Sequence, residues 1–432
     1  IVWKVRWRVA AEELSAIGMF RGTVNGGFEL DRAPKRSEAA IMLVRLYGAE
    51  EEAAAAYQNG EISHPFNDVG EIASPYVAWL YTKGITKGTT ATTFSANTPC
   101  TDKNYVVFLL RALGYEDGTD FQYADCLNFA AGLGFYDASL FEGTFLRDDL
   151  AAITLQALAS DKKGGETYLL KSLIDTGAVD ATKAKNLTEK IENYRALTRA
   201  TDAVDSVSQD TNSLTQARGT VQYAGDTMDV SFDSSTREKI VLRNGKVQLS
   251  SETKITQNGE TTESGTWIKD GWLYLYTKDG GVTAKNKVAV DDSMTDADLA
   301  EVESNQVDKV GLSAIKSISV VKDGLTSYYS VDVEASAAAF LSGILENYVD
   351  EDDKDLTSIE VSDIKVTYTV NGQGVLGAMT TSFRLKIVYA SGEFQGDPMV
   401  MDMKYTVATN ILATGNAVSI TFPDFSDYVI LN

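Results

Sequence analysis

Two stretches of this chain, 66 residues apart, carry the same frame. Leu14, Gly18, Gly22, Phe28, Leu43, Arg45 and Gly48 recur as Leu80, Gly84, Gly88, Phe94, Leu109, Arg111 and Gly114. A repeat of this kind is one supersecondary unit that cannot bury its apolar face alone, so it must stack on its neighbours. Each copy reads as helix, glycine turn, short extended piece and second helix. In the second copy Tyr76, Val77, Leu80 and Tyr81 lie at helical spacing, and Gly84 has the place of a helix-ending glycine. Phe94 plugs the core. The next helix starts near Thr101, with Thr101 or Asp102 as N-cap, and carries Val106, Leu109, Leu110 and Leu113 as its apolar stripe. Ala40, Leu43, Val44 and Tyr47 do the same in the first copy. A shorter third copy is read from Gly132-Leu133-Gly134, Phe145, and then Leu150, Ile153, Leu155 and Leu158, ending near Ser160.

At 432 residues the chain exceeds a single ordinary core, and two or three domains are expected. The 39 Lys and Arg against 61 Asp and Glu give a net charge of −22, which argues against nucleic acid as a partner, because phosphate neutralisation needs clustered positive charge. No run is apolar and long enough to span a bilayer. Residues 1–10 have neither an initiating Met nor the apolar centre of a signal peptide, so the start reads as that of a mature or truncated form. With a single histidine, His64, nucleophilic triads and histidine-rich metal sites lose their material. His64 precedes Pro65 in a polar stretch and reads as an exposed loop residue. Cys100 and Cys126 leave two readings open, one bridge or two small buried thiols.

The run Phe66-Asn67-Asp68-Val69, then Tyr76-Val77, Gly84-Ile85-Thr86-Lys87-Gly88, Phe94 and Leu109-Leu110-Arg111 resembles the S-layer homology (SLH) repeat, whose pattern is F-x-D-V, a Trp, G-I-x-x-G, F-x-P and T-R-A-E. The resemblance covers about a third of the chain. It implies a three-pronged helical module of three repeats, about 1–60, 61–118 and 119–160, attached without covalent bonds to an anionic secondary cell-wall polysaccharide of a Gram-positive-type envelope. In that family the T-R-A-E arginine, with nearby glycine and Trp positions, contacts the glycan. A guanidinium beside free helix N-terminal N–H groups suits that task. The motif departs from its pattern copy by copy. It reads Lys35-Arg36-Ser37-Glu38, then Thr101-Asp102-Lys103-Asn104, then Leu146-Arg147-Asp148-Asp149. Ile72 stands where the second copy should have Trp, the first copy lacks its F-x-D-V head, and Trp3 or Trp7 lies near the first copy's Trp position. At least one of the three expected pockets is therefore impaired. The carried-over glycan contacts are Arg36, Arg147, Lys35, Lys103, Gly22 and Gly88. For Arg36 and Arg147 the alternative is a surface arginine paired with a helix carboxylate. Arg45 and Arg111, late in their helices, read as complements to the helix dipole.

Residues 161–215 read as a helical linker, with a hinge at Lys162-Lys163-Gly164-Gly165 and an amphipathic helix through Leu187, Ile191, Tyr194 and Leu197. Its first forty residues have a net charge of +2, whereas everything after residue 200 sums to −17, which supports a boundary there. Residues 216–432 read as a second domain in which the period changes to strand alternation at Val221 and Tyr223, then at Met228, Val230 and Phe232, then at Ile240 and Leu242. Asn244-Gly245 and Asp270-Gly271 predict hairpins. Helices are expected around 295–310 and 335–348, and four final strands near 357–370, 379–390, 398–409 and 411–421. The expected fold class is thus multidomain, an all-α three-repeat module followed by an α+β antiparallel curved sheet, or half-barrel, with covering helices. That layout resembles the lipoprotein-localisation-type half-barrels.

The acidic run Asp350 to Asp355 lacks the spacing and glycine of a calcium loop and reads as solvated. No catalytic residue, metal ligand or cofactor is assigned. Trp267, Trp272, Tyr274 and Tyr276 form a candidate ligand platform, for carbohydrate or lipid, with a plain core role as the alternative. The favoured reading is an extracellular wall-attached or S-layer-associated protein, not an enzyme. Its second domain would bind a hydrophobic ligand or a surface protein. Two rivals stay open: a lipid or small-ligand carrier that has lost wall binding, and a wall-polymer hydrolase.

Overall fold

The computed structural model describes residues 7–22, 26–138, 143–204, 208–291, 310–334, 356–389 and 398–431. They fall into two compact units, with the division inside one helix, between Glu192 and Asn193.

The helical unit contains α1 (Arg8–Ala16), α2 (Arg36–Leu46), α3 (Glu50–Gln58), α4 (Ser74–Thr82), α5 (Asp102–Ala112), α6 (Cys126–Gly132), α7 (Arg147–Leu158), α8 (Leu169–Asp175) and most of α9 (Ala181–Asp202). The 66-residue frame is reproduced bond for bond. After α1, Gly18 N–H donates to Ser15 and Met19 N–H to the Leu14 carbonyl. After α4, Gly84 N–H donates to Tyr81 and Ile85 N–H to Leu80. Each is a helix end closed by a glycine at positive φ, 76° at Gly18 and 70° at Gly84. Leu14, Leu43, Leu80 and Leu109 are all fully buried, as the shared face requires.

Between the repeats, the extended piece of one copy is bonded to the start of another copy's second helix. Arg36 N–H donates to Thr98, Ser37 N–H to Ala96, and Cys100 N–H to Pro34, which ties the second copy's loop to α2. Arg147 N–H donates to Arg32 and Asp148 N–H to Leu30, which ties the first copy's loop to α7. Orphan N–H groups at the helix starts are thereby satisfied by neighbouring repeats rather than by water. Helices α8 and α9 up to Glu192 belong to this unit. Leu169, Leu170, Leu173, Leu187 and Ile191 bury their side chains in it. Residues 311–315, far along the chain, also join it, with Ser313 Oγ donating to the Ala152 carbonyl and Leu312 N–H to Gln156 Oε1.

The second unit is an open, curved sheet of twelve described strands in the order β12-β6-β5-β4-β3-β2-β1-β11-β10-β9-β8-β7. They are β1 (Gln209–Tyr223), β2 (Asp226–Arg243), β3 (Lys246–Gln257), β4 (Glu260–Lys269), β5 (Trp272–Asp279), β6 (Val282–Ala289), β7 (Ile315–Asp323), β8 (Thr326–Val333), β9 (Leu356–Val370), β10 (Leu376–Tyr389), β11 (Met399–Thr414) and β12 (Val429–Ile430). The sheet starts at Gln209, ahead of the expected 216. Strands β1 to β6 form a meander with five two-residue turns. Asn244-Gly245 and Asp270-Gly271 make the hairpins expected, and Ala224-Gly225, Asn258-Gly259 and Gly280-Gly281 make three more. All ten residues have positive φ, the twist-matching geometry of short hairpins.

The strand expectations need two corrections. The segments around Met228–Phe232 and Ile240–Leu242 are one strand, β2. The last two expected strands are also one, β11, which stops at Thr414. The register slips there, with Asp210 opposite Ala413 and Thr211 opposite Ile411, so Leu412 is an extra, bulged residue where a turn was expected. The helices expected around 295–310 and 335–348, and the acidic run at 350–355, lie outside the described residues apart from Val310.

Candidate functional site

A groove of about 860 Å³ opens in the helical unit. Its walls are the turn after α1 (Phe20, Arg21, Gly22), the start of α2 (Lys35, Ser37, Glu38), the loop from Asp68 to Ala73, Tyr76 of α4, the loop at Ala96 and Asn97, and the start of α7 (Arg147, Leu150). Asp68, the acid of Phe66-Asn67-Asp68-Val69, accepts from the N–H groups of Phe94, Ser95 and Ala96 at 2.8, 2.7 and 3.2 Å. Burial works to raise its pKa, and those three donors outweigh it to hold the carboxyl below the usual range. Asp68 therefore shapes the loop that presents Asn97. Lys35 Nζ donates to Asn97 Oδ1 at 3.1 Å and bridges the first and second repeats.

The groove's cations are mostly engaged. Glu38 Oε1 accepts from Arg32 Nη2 at 2.7 Å and pairs with Arg147 Nη1 at 2.9 Å, while Oε2 accepts from Arg32 Nη1 and from Lys35 N–H, at 3.0 and 2.7 Å. Burial pushes the Glu38 pKa up, and these donors pull it below its ordinary value. Arg147 is only 5% exposed. Its Nε donates to the Phe28 carbonyl and its guanidinium lies over the Phe20 ring at 4.8 Å. Arg45 Nη1 donates to the Met19 carbonyl, and Arg45 and Arg21 both pair with Glu50. Lys35 is exposed and, among the described residues, forms no ion pair.

Of the residues singled out from the sequence, Gly22, Lys35 and Arg147 meet in this groove. Arg36 stacks on Phe94 at 4.9 Å and is absent from the lining. Lys103 lies over Tyr123 at 5.0 Å and donates to the Ala124 carbonyl. Gly88 is a packing position, since a Cβ there would run into Phe66 and meet the Thr93 carbonyl at 2.7 Å. Sequence reasoning missed Arg32, Arg45, Tyr76 and Asn97. For Arg45 the signal was present, because its counterpart Arg111 donates to the Ile85 carbonyl, which is the same position as Met19 one repeat later. Their shared role is a bond to the turn after the first helix, beyond the dipole alone.

A second, smaller cavity of about 260 Å³ is lined by Cys100, Thr101, Asp102, Thr144, Phe145 and Asp149 among others, with no basic side chain. Asp102, standing in place of the motif arginine, accepts from Tyr136 Oη at 2.9 Å. Cys100 and Cys126 are free thiols, both buried, and burial pushes the Cys100 thiol up to about 12. His64, expected in an exposed loop, is half-buried. Its ring stacks on Phe66 and takes the Phe66 N–H on Nδ1, while Nε2 faces Ser74 Oγ at 3.2 Å.

In the sheet unit the four candidate aromatics share one face. Trp267 is 5% exposed and packs with Phe425 and Tyr428, and Tyr274 stacks on Phe425 at 3.8 Å between centroids. Lys287 lies over Trp272 at 5.4 Å. They do not form one continuous open platform, because the C-terminal segment lies across part of it. No group of three or more metal-ligating side chains occurs among the described residues. No described helix is long and apolar enough to cross a membrane.

The S-layer homology domain family matches residues 65–101, so this chain has an SLH domain spanning α4 and the loop that closes the groove. No curated protein matches significantly. Among solved structures, the ywiB protein from Bacillus subtilis is similar at 9% identity, over 49% of this chain and 98% of that one, with a TM-score of 0.13. A DUF1329 family protein from Desulfovibrio piger is similar at 12% identity, over 49% and 90%, with a TM-score of 0.14. At these TM-scores neither likeness bears on fold or function.

Proposed function

We propose that this is a cell-surface protein held on an anionic secondary cell-wall polysaccharide by the groove walled by α2, α4 and the start of α7, with the sheet unit displayed as a binding module. The observation that carries this reading is the groove itself. It is formed by the matched SLH segment together with the start of α2, and it holds Lys35 exposed beside Asn97, with Arg32 and Arg21 on its walls. Ile72, 74% exposed on the rim, offers an apolar surface where the family pattern has Trp.

Arg147 has a supporting part: buried and paired, it fixes Glu38 and through it Arg32. The smaller cavity, lined by Asp102 and Asp149, repels an anionic polymer, so binding is confined to the larger groove. Co-sedimentation with purified wall sacculi tests the proposal. Retention of the full chain that falls with added salt and is lost in Lys35→Glu supports it, and no retention at any salt sinks it.

A further inference from the structure

The sheet unit contains a cavity of its own, of about 500 Å³, built by strand register. Asn212 of β1 pairs with Arg237 of β2, Arg237 with Glu252 of β3, Glu252 with Gly265 of β4, Gly265 with Tyr276 of β5, and Tyr276 with Lys285 of β6. These six positions form one cross-strand row on one face, because directly opposed residues share a side of the sheet. The adjoining row places Lys254 opposite Glu263. Every side-chain-bearing member of the first row lines the cavity, with Lys254, Glu263 and Trp267.

Trp267 is the centre of this arrangement. Its ring lies over Gly265, where any Cβ would run into the six-membered ring, so the glycine makes room for the indole. The C-terminal segment supplies the opposite wall through Pro423, Asp424 and Tyr428. That segment is anchored by Phe425 on Tyr274, by Asp427 to Lys285 at 2.6 Å, and by the Ser419 carbonyl accepting from Lys239. The Trp267 Nε1–H is fully buried and has no hydrogen-bond partner among the described residues.

The lining decides the class of occupant. Arg237, Lys254 and Lys285 are balanced by Glu252, Glu263 and Asp424, so neither a polyanion nor a polycation is favoured. Arg237 is already paired with Asp210 at 2.7 Å, whereas Glu252 and Lys254 form no ion pair among the described residues. An acyl chain would have to desolvate this charged rim without replacing its hydrogen bonds. We infer that the cavity binds a short neutral oligosaccharide, with the apolar face of a sugar ring against Tyr276 and the exposed edge of Trp267 and its hydroxyls shared among Glu252, Lys254 and Asn212. The volume falls in the range of small-ligand sites, about 300–1,000 Å³.

The test is NMR titration of the full chain labelled with 15N at its indoles, with Trp267→Phe used to assign the Trp267 resonance. The probes are cellobiose, maltose and chitobiose, with laurate as the lipid arm. The expected result is a saturable shift of the Trp267 Nε1–H with at least one disaccharide and no shift of the Trp79 indole. In Tyr276→Ala and Glu252→Gln the affinity should fall by about tenfold or more. Glu252 is exposed, so its variant keeps the test decisive if Tyr276→Ala fails to fold. The inference is overturned if no disaccharide moves the Trp267 resonance at concentrations on the order of ten millimolar. It is equally overturned if Glu252→Gln binds as well as the parent chain, or if laurate saturates the site in preference to the sugars. This outcome is independent of wall attachment, which uses residues of the helical unit.

Discussion

Arg147 Nη1 lies 2.9 Å from Glu38 Oε1, joining the first turn of α7 to that of α2. Both belong to the copies' equivalent motif, and Glu38 also receives Arg32 and the Lys35 N–H. Because the guanidinium is buried, removing the carboxylate leaves a charge without its partner. Glu38→Gln is expected to cost about 2–4 kcal/mol in chemical denaturation.

The same pair sets an acid sensitivity. The folded-state pKa of Glu38 lies below its unfolded value, so its stabilising contribution is full above the unfolded pKa and is lost as pH falls through the folded one. Asp68 contributes with the same sign. Thermal unfolding followed from neutral pH down to about pH 3 should show a declining melting temperature below the ordinary carboxylate range, near pH 4. That decline should be shallower in Glu38→Gln.

Arg45 and Arg111 occupy one position of the repeat and should differ in cost. Arg45 is 10% exposed in its side chain, donates to the Met19 carbonyl at 2.9 Å and pairs with Glu50, whereas Arg111 reaches the Ile85 carbonyl at 3.4 Å. Arg45→Met is expected to lose about 2–3 kcal/mol, as for a hydrogen-bonded charge in a buried setting, and Arg111→Met about 1 kcal/mol or less. Equal and small losses would indicate a dipole effect alone.

Gly88 and Gly84 separate packing from conformation. Both have positive φ, at 76° and 70°, yet a Cβ at 84 meets open space while one at 88 collides with Phe66. Gly84→Ala should cost about 1–2 kcal/mol from the left-handed backbone. Gly88→Ala should cost more, about 3 kcal/mol or above, because Phe66 must leave its contacts with Phe94 and Tyr81. Urea denaturation of the two variants measures the difference.

The helical frame was legible because each repeated residue has a local duty: leucines for the buried face, glycines for helix ends, Asp68 for its loop. Strand alternation and the turns at Asn244-Gly245 and Asp270-Gly271 were legible for the same reason. Three further turns were missed: alanine gives Ala224-Gly225 no turn preference of its own, whereas Asn258-Gly259 and Gly280-Gly281 carried a turn signal that was not used. The row from Asn212 to Lys285 was not legible at all. Its members are scattered over six strands, and only the register, fixed by turn lengths, brings them side by side. Arg147 was legible as a motif residue but not as a buried one, since its partner Glu38 comes from another repeat.

The central claim is tested most directly by calorimetric titration of the full chain with purified secondary wall polysaccharide at low and physiological salt. Saturable binding at one site per chain, weakened by salt, is the expected result. Binding should weaken at least about tenfold in Lys35→Glu and stay unchanged in Lys103→Glu, whose ammonium rests on Tyr123 outside the groove. Absence of binding at low salt, or binding by Lys35→Glu equal to that of the parent chain, would contradict that claim.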